Sequence, residues 1–435
     1  MKLPKLIRDN LLLKITSLNA SVILLRLLVA FFLQRELTDI VGKAGYAKVG
    51  SLRNLLQMLT SITSFGVFNG IVKYVAEHKK NQHELQKLFS TTFVFTILGS
   101  LFCFLVLFFW SEPISVYFFY DTEFAYVIKI VAVVVPFISI QRVFNGIVNG
   151  LSAYKKFAKI EIIAYLLGAA LTLYMLYKYG IDGALVAIAC IPIVQVLVLL
   201  FIFLKVMREY VVFSEIKWKI PYGRSLLAFA LMSFSSTVLV NYVELDLRNL
   251  LAEQLSEEDA GIWTGMTTLS KNYMVFSGAL FTLYVIPKFV GIHTKQNFLR
   301  ELGVIYKTLL PLFAIGMIVI YFLRFQFIEY IFIDFDEMAP LFKWQLLGDF
   351  VKLMALVLLH QLIAKKLVRN FVFVEVFSAA VFYGLAYWLV DPYEVEGVVI
   401  AHFIRYILYF FLVLFLVIRY FSQQPKPSTE QVTEH

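Results

Sequence analysis

Apolar residues run along this chain in long unbroken stretches, each followed by a short polar segment. Twelve stretches approach or exceed the roughly 20 residues a helix needs to cross a hydrocarbon core of about 30 Å. They cover 11–33, 46–70, 88–110, 125–148, 158–178, 183–206, 225–247, 261–287, 301–324, 342–364, 370–390 and 396–419. The apolar runs are continuous rather than alternating, which argues against a β-barrel. The pattern predicts an all-α polytopic membrane protein of twelve transmembrane helices. No room is left for a soluble domain. The start carries Lys2, Lys5 and Arg8, but the helix behind them is long and holds Lys14 and Arg26. No small-residue cleavage site follows it, so it reads as the first span rather than a signal peptide.

Composition agrees. The chain is 60% hydrophobic and only 16% charged, against about 25% charged in a soluble domain. That excludes disorder. Two cysteines, Cys103 and Cys190, lie inside apolar runs and give no disulfide framework.

The net charge of +9 is explained by loop alternation. Lys73, Lys79, Lys80 and Lys87 follow the second stretch, and Lys155, Lys156 and Lys159 the fourth. Lys205, Arg208, Lys217, Lys219 and Arg224 follow the sixth, Lys288, Lys295 and Arg300 the eighth, Lys365, Lys366 and Arg369 the tenth. The intervening loops are poor in Lys and Arg, and several are acidic. The positive-inside rule places the basic loops and both termini in the cytoplasm. The basic excess is then topology, and nucleic acid is not an expected partner.

The halves resemble each other. Residues 71–80 align with 286–295 at an offset of 215. Further on, an offset of 214 pairs Lys129 with Lys343, Glu161 with Glu375, Tyr179 with Tyr393, Gly183 with Gly397 and Ala187 with Ala401. Six helices per half make a parallel repeat, and such repeats place a substrate site between them. The expected division is an N-lobe over 1–206, a basic cytoplasmic linker over 207–224, a C-lobe over 225–420 and a polar tail over 421–435.

Polar residues recur at helical spacing inside the stretches. Arg53, Gln57, Thr60 and Ser64 share one face, as do Ser233, Ser236, Thr237, Asn241, Glu244 and Arg248. Thr264, Thr267, Thr268, Lys271, Asn272 and Ser277 mark the eighth stretch, Arg142, Asn145 and Asn149 the fourth, Asn19 and Arg26 the first. Gln345, Asp349 and Lys352 mark the tenth, His402, Arg405 and Tyr409 the twelfth. Hydroxyls and amides in membrane helices often only bind helices together. Asp349 with Lys352, and Glu244 with Arg248, are spaced to neutralise one another. Glu161 and Glu375 read as structural partners of the nearby Lys159 or Arg369. His360 and His402 stand alone, without metal spacing.

Arg26, Arg53, Arg142, Lys271 and Arg405 are harder to neutralise, because their stripes mostly lack acids. Intramembrane charges need a partner or a wet cavity. Arginine grips phosphate oxygens bidentately, so a basic cavity for an anionic substrate is expected. No GxxxxGK[ST], HExxH, GxSxG or CxxC motif is present. That argues against an enzyme, and without a nucleotide-binding domain the driving force must be a gradient or passive.

Several segments then carry a resemblance. Phe65-Gly-Val-Phe-Asn-Gly-Ile-Val-Lys-Tyr-Val-Ala76, Gly261-Ile-Trp-Thr-Gly265, Trp344-Gln-Leu-Leu-Gly-Asp-Phe-Val-Lys352, Ile363-Ala-Lys365 and the Glu375 segment resemble Wzx-type polysaccharide flippases. These include O-antigen translocases and the flippases for the lipid III precursor of enterobacterial common antigen, within the multidrug/oligosaccharidyl-lipid/polysaccharide exporter superfamily. The resemblance implies two six-helix lobes around a central cavity lined by helices 1, 2, 7 and 8. It implies an undecaprenyl-pyrophosphate-linked oligosaccharide as cargo, moved from the cytoplasmic to the periplasmic leaflet of the bacterial inner membrane. It implies membrane lipids, a polysaccharide polymerase and a chain-length regulator as partners, and no cofactor. Lys271 departs from the pattern, standing where an acid is expected in the lipid III flippases.

The expected site is then Arg26, Arg53, Gln57, Arg142, Asn241, Lys271 and Arg405 for pyrophosphate and sugar. Glu244, Asp246, Asp349 and Lys352 are the candidates for coupling or gating. The main rival is a multidrug or cation exporter of the same superfamily, which predicts essential buried carboxylates. A membrane glycosyltransferase or polymerase predicts a large periplasmic loop. A lipid II flippase predicts two further helices.

Overall fold

The computed structural model describes residues 11–281 and 285–423. Lys2, Lys5, Arg8 and the tail beyond Gln423 lie outside them, as do the side chains of Lys14, Asn19, Lys155, Lys205 and Arg208. The described elements are helical, with no strand among them. They run α1 Leu11–Ile62, α2 Phe68–Glu77, α3 Gln82–Phe109, α4 Ser111–Phe119, α5 Ala125–Gly150 and α6 Tyr154–Tyr210. Then come α7 Gly223–Ser233, a π-helical turn Phe234–Val238, α8 Leu239–Gln254, α9 Glu257–Leu280 and α10 Ile286–Val290. The chain closes with α11 Lys295–Phe322, α12 Arg324–Ile331, α13 Leu341–Ala364 and α14 Val368–Ser422. Starts follow the sequence. Asn81 caps α3 by accepting the Glu84 amide at 3.2 Å, and Ser256 does the same for Asp259 of α9 at 3.1 Å.

Three long helices are each two arms joined at one residue. Gly42, Gly180 and Glu394 have φ of 65°, 58° and 50°, so helical geometry is interrupted there. Eight residues of straight helix would rise about 12 Å. Yet a Cβ at Gly183 would lie 2.0 Å from the Met175 carbonyl oxygen, and one at Gly397 2.1 Å from that of Leu389. The chain doubles back at both places, and the two contacts obey the 214 offset. The loops expected between the first and second, fifth and sixth, and eleventh and twelfth stretches thus shrink to single residues. The first arm runs past residue 33 because its polar continuation is bonded. Tyr46 Oη donates to Gln34 Oε1 at 2.5 Å, and Thr38 Oγ1 to the Ile331 carbonyl at 3.1 Å. The second stretch, expected to 70, breaks at residues 63–67, where Phe65 and Gly66 have φ of 47° and 62°.

Among the described residues, seven helices are long and apolar enough to cross a membrane. Two of these contain the turns at Gly180 and Glu394. Neither α1 nor α9 is among the seven; both carry the polar stripes described below.

The apolar core is one cluster at one end and two at the other. At the end bearing the Gly42, Gly180 and Glu394 turns, one apolar cluster joins both halves, from Leu37, Val49 and Val131 to Trp263, Phe342 and Val398. At the other end are two clusters. One holds Val75, Leu88, Ile147 and Phe203 of the first half with Leu226 of α7, the other Phe289, Phe298, Leu358 and Val413 of the second. The basic segments lie at this split end. Around the sides, Phe102, Phe201, Phe322 and Trp388 are exposed apolar surface, as expected where lipid is the solvent.

Candidate functional site: a cationic cavity between the halves

The closed end is tied across the halves by polar contacts as well as by its core. Lys43 Nζ pairs with Glu337 Oε2 at 2.8 Å, and Lys48 pairs with Glu257. Asn249 Nδ2 donates to the Tyr117 carbonyl at 3.0 Å. A Cβ at Gly261 would lie 2.0 Å from the Lys43 carbonyl oxygen, so α9 meets α1 backbone to backbone.

Below this seal lies a cavity of ≈ 680 Å³. Arg26, Arg53, Gln57, Asn241, Glu244, Lys271 and Lys352 all line it. Seven of the eleven residues singled out from sequence are therefore brought together. They come from both arms of α1 and from α8, α9 and α13, which the chain brings together across both halves.

Four are placed elsewhere. Arg142 lies on α5 with its guanidinium 4.0 Å from the Phe68 ring centre and is not among the lining residues. Asp246 accepts the Tyr117 hydroxyl at 2.8 Å toward the closed end. Asp349 is fully buried and holds His402 at 3.1 Å and Ser270 Oγ at 2.5 Å, with Tyr273 and Gln345 also donating. Arg405 lines a second cavity of ≈ 340 Å³, which Lys352 also lines and which is walled by the C-terminal half and by Asn69 of α2.

The ion pairs are not those that sequence spacing indicates. Glu244 receives Lys271 Nζ at 2.6 Å and the Asn54 amide at 2.9 Å. Arg248 is buried instead among Thr264 Oγ1 at 2.8 Å, Asn54 Oδ1 at 3.1 Å and Ser51 Oγ at 3.4 Å. Glu161 faces Arg26 across the cavity at 3.9 Å rather than pairing with Lys159. Glu375 accepts the Tyr409 hydroxyl at 2.7 Å rather than meeting Arg369. His402, alone in the sequence, has the Asp349 carboxylate as partner. Each helix faces several others, so the polar or charged partner comes from a neighbouring helix or arm rather than from the next turn.

Sequence reasoning missed Asn54, Arg248, Glu161 and Tyr165 as lining residues. Asn54 follows Arg53, a rotation of about 100° off the Arg53–Gln57 stripe. Its amide nevertheless joins Asn241, Glu244 and Arg248 in one network. Tyr165 packs its ring 5.0 Å from the Arg26 guanidinium. The π turn Phe234–Val238 also rotates helix 7, so Ser236 lines the smaller cavity while Asn241 and Glu244 line the larger. Such turns are frequent at functional sites.

Five cations line the large cavity (Arg26, Arg53, Arg248, Lys271 and Lys352) against two carboxylates, Glu161 and Glu244. Arg26 and Lys271 have carboxylate partners. Arg53 has none among the described ion pairs; its Nη1 reaches only the Tyr46 hydroxyl, at 3.3 Å. The walls add Gln57, Thr60, Asn272 and Tyr165. The cavity can hold an oxyanion beside hydroxyl-rich groups. No cluster of His, Cys, Asp and Glu among the described residues could hold a metal ion.

The geometry has relatives. The chain is 29% identical over 376 residues to the lipid III flippase of Escherichia coli (strain K12), covering 85% of this chain and 89% of that one. The lipid III flippase of Shigella flexneri matches to the same extent. In fold, the chain resembles an inward-facing multidrug resistance MATE family transporter of the MOP superfamily, with TM-score 0.74, 14% identity and 92% and 96% of the two chains covered. It also resembles the lipid II flippase MurJ in an inward closed conformation, with TM-score 0.72, 15% identity and 92% and 87% covered. With the polysaccharide biosynthesis protein family matching residues 12–293, the chain belongs to that family.

Proposed function

We propose that this protein is a flippase for an undecaprenyl-pyrophosphate-linked oligosaccharide, an O-antigen or common-antigen type repeat unit. It carries its cargo from the cytoplasmic to the periplasmic leaflet of the bacterial inner membrane. Twelve spans form an N-lobe over 1–206 and a C-lobe over 225–420, joined by the linker 207–224, with both termini cytoplasmic. The apolar core is divided at the end of the basic loops, which supports a state that receives cargo from the cytoplasm.

The observation that carries the reading is Arg53, a cavity cation with no carboxylate partner among the described residues. Arg53 takes the pyrophosphate, and Lys271 and Arg26 join it by leaving Glu244 and Glu161. Gln57, Asn241 and Tyr165 face the sugar, while the polyprenyl tail stays in lipid. Exchange of carboxylate for phosphate is the differential interaction that alternating access requires. The lipid III flippase relatives and the surplus of cavity cations support this reading over a drug or cation exporter. Such an exporter calls for free carboxylates, and both cavity glutamates are engaged.

The test is reconstitution in liposomes with a defined undecaprenyl-pyrophosphate-linked oligosaccharide, comparing the parent with Arg53→Ala. The parent exposes the sugar on the far leaflet and the variant does not. Equal translocation by the two would remove Arg53 from the site.

A further inference from the structure

The two cavities are related by the same offset of 214 that relates the halves. Glu161 lines the larger and Glu375 the smaller; so do Ile138 and Lys352, Ile191 and Arg405, and Gln195 and Tyr409. Equivalent glutamates thus line both cavities, the larger walled by both halves and the smaller by the second half together with Asn69 of α2. In the first half, Arg26 lies 3.9 Å from Glu161, and Arg142, which does not line the cavity, acts on the same carboxylate. In the second, Lys352 and Arg405 line the pocket against Glu375, whose Oε1 already accepts the Tyr409 hydroxyl at 2.7 Å.

Both cations act on Glu375 from a distance, and neither forms a hydrogen bond or close ion pair with a carboxylate among the described residues. Arg405 is buried, donates Nε to Ser378 Oγ at 2.7 Å and lies 4.7 Å from the centres of both the Phe382 and Tyr406 rings. Lys352 is half-buried and has no hydrogen bond or ion pair among the described residues; its ammonium stands 5.5 Å from the Tyr406 ring centre. Asp349, one turn earlier, lines neither cavity and is engaged by Ser270, Tyr273, Gln345 and His402. A surplus cation among apolar walls is costly unless an anion meets it.

We propose that the pocket of the second half is a second oxyanion subsite. It takes either a carboxylate on an acidic sugar of the cargo or the pyrophosphate itself after it leaves Arg53. Lys352 lines both cavities, so an anion can pass between them without losing its contact with this ammonium. Tyr406, Tyr409 and Phe371 supply ring faces for a sugar, and Asn69 and Ser236 supply polar groups for its hydroxyls. This subsite rests on the flippase reading given above.

The test uses the full-length protein in nanodiscs and two soluble probes, inorganic pyrophosphate and a galacturonate trimer, titrated by calorimetry. Lys352→Gln is expected to weaken at least one probe about tenfold or more, the size of a lost charge-assisted hydrogen bond, and Lys352→Arg to restore it. Weakening of the trimer alone supports the subsite and assigns it to the sugar; weakening of pyrophosphate by Arg405→Lys as well as by Lys352→Gln supports it and assigns it to the phosphate, whereas weakening by Lys352→Gln alone places that anion in the larger cavity and overturns the subsite. Arg405→Lys, which keeps a charge but loses the planar fork, should act on the same probe. Unchanged binding of both probes in Lys352→Gln and Arg405→Lys overturns the subsite. The flippase reading survives that result if Arg53→Gln still weakens pyrophosphate. A parent protein that binds no pyrophosphate at all would bring down both.

Discussion

Lys271 of α9 donates to Glu244 of α8 at 2.6 Å, on the wall of the cavity where the halves meet. The Asn54 amide of α1 reaches the same Glu244 oxygen at 2.9 Å. One carboxylate therefore links two helices of the second half to one of the first. Removing only Lys271 leaves that carboxylate short of its cation in a low-dielectric wall. Lys271→Ala should lower glycan display, and Lys271→Ala with Glu244→Gln should lose less than the two single losses combined. A double-mutant cycle on thermal unfolding should give a coupling of about 0.5–3 kcal/mol; strict additivity would mean that the contact has no energetic weight.

Arg53 differs from Lys271 in having no acid to release. Its replacement should act on cargo rather than on folding. We expect Arg53→Ala to weaken pyrophosphate binding by about 1.5–3 kcal/mol, the worth of a hydrogen bond to a charged group. The melting temperature should stay near that of the parent. Arg53→Lys should recover part of the affinity, because it keeps the charge and loses the bidentate fork.

The seal at the closed end should depend on pH. Lys43 Nζ, hydrogen-bonded to Glu337, holds that carboxyl below its ordinary value of 4.5. A depressed value means that the contact contributes fully above the ordinary value and is lost as pH falls through the lower one. Opening of this end, followed by the spacing of spin labels at residues 40 and 336, should therefore increase as the medium is acidified below about pH 4.5. In Glu337→Gln this dependence should vanish.

Gly261 tests the same seal from the backbone side. Its missing Cβ would sit 2.0 Å from the Lys43 carbonyl, and a main-chain oxygen cannot step aside. Gly261→Ala must push α9 from α1. A loss of about 1–3 kcal/mol, as for other overpacked sites, should appear as a lower thermal midpoint. An unchanged midpoint together with an unchanged seal would contradict the contact.

Glu394 holds the turn that Gly180 holds in the first half, at the same offset of 214, with φ of 50° against 58°. A side chain at positive φ with ψ of −135° costs about 1–3 kcal/mol that glycine avoids. Glu394→Gly should therefore be tolerated and should raise the thermal midpoint. A fall would show that the Glu394 side chain makes a compensating contact.

Much of this architecture was legible in the chain. The apolar runs marked where helices lie, because lipid forces every backbone polar group into internal hydrogen bonds. The Gly183–Gly397 pairing marked the repeat, which returns as the same close approach in both halves. The stripes on α1, α8 and α9 brought Arg53, Gln57, Asn241, Glu244 and Lys271 to one cavity, because helical spacing alone sets which side chains share a face.

Partnership was not legible. A stripe says which way a residue points along its own helix, not what stands opposite. Glu244 could have met Arg248 one turn on and met Lys271 instead; Asp349 could have met Lys352 and met His402. Only packing decided those choices, since each helix borders several others and a buried charge bonds to whichever neighbour arrives. Packing also left Arg53 and Lys352 without a close ion pair among the described residues. The sequence thus determined which charges lie in the apolar stretches and on which helices they ride, while the tertiary structure decided which of them meet a carboxylate, because partners come from whichever helices pack alongside.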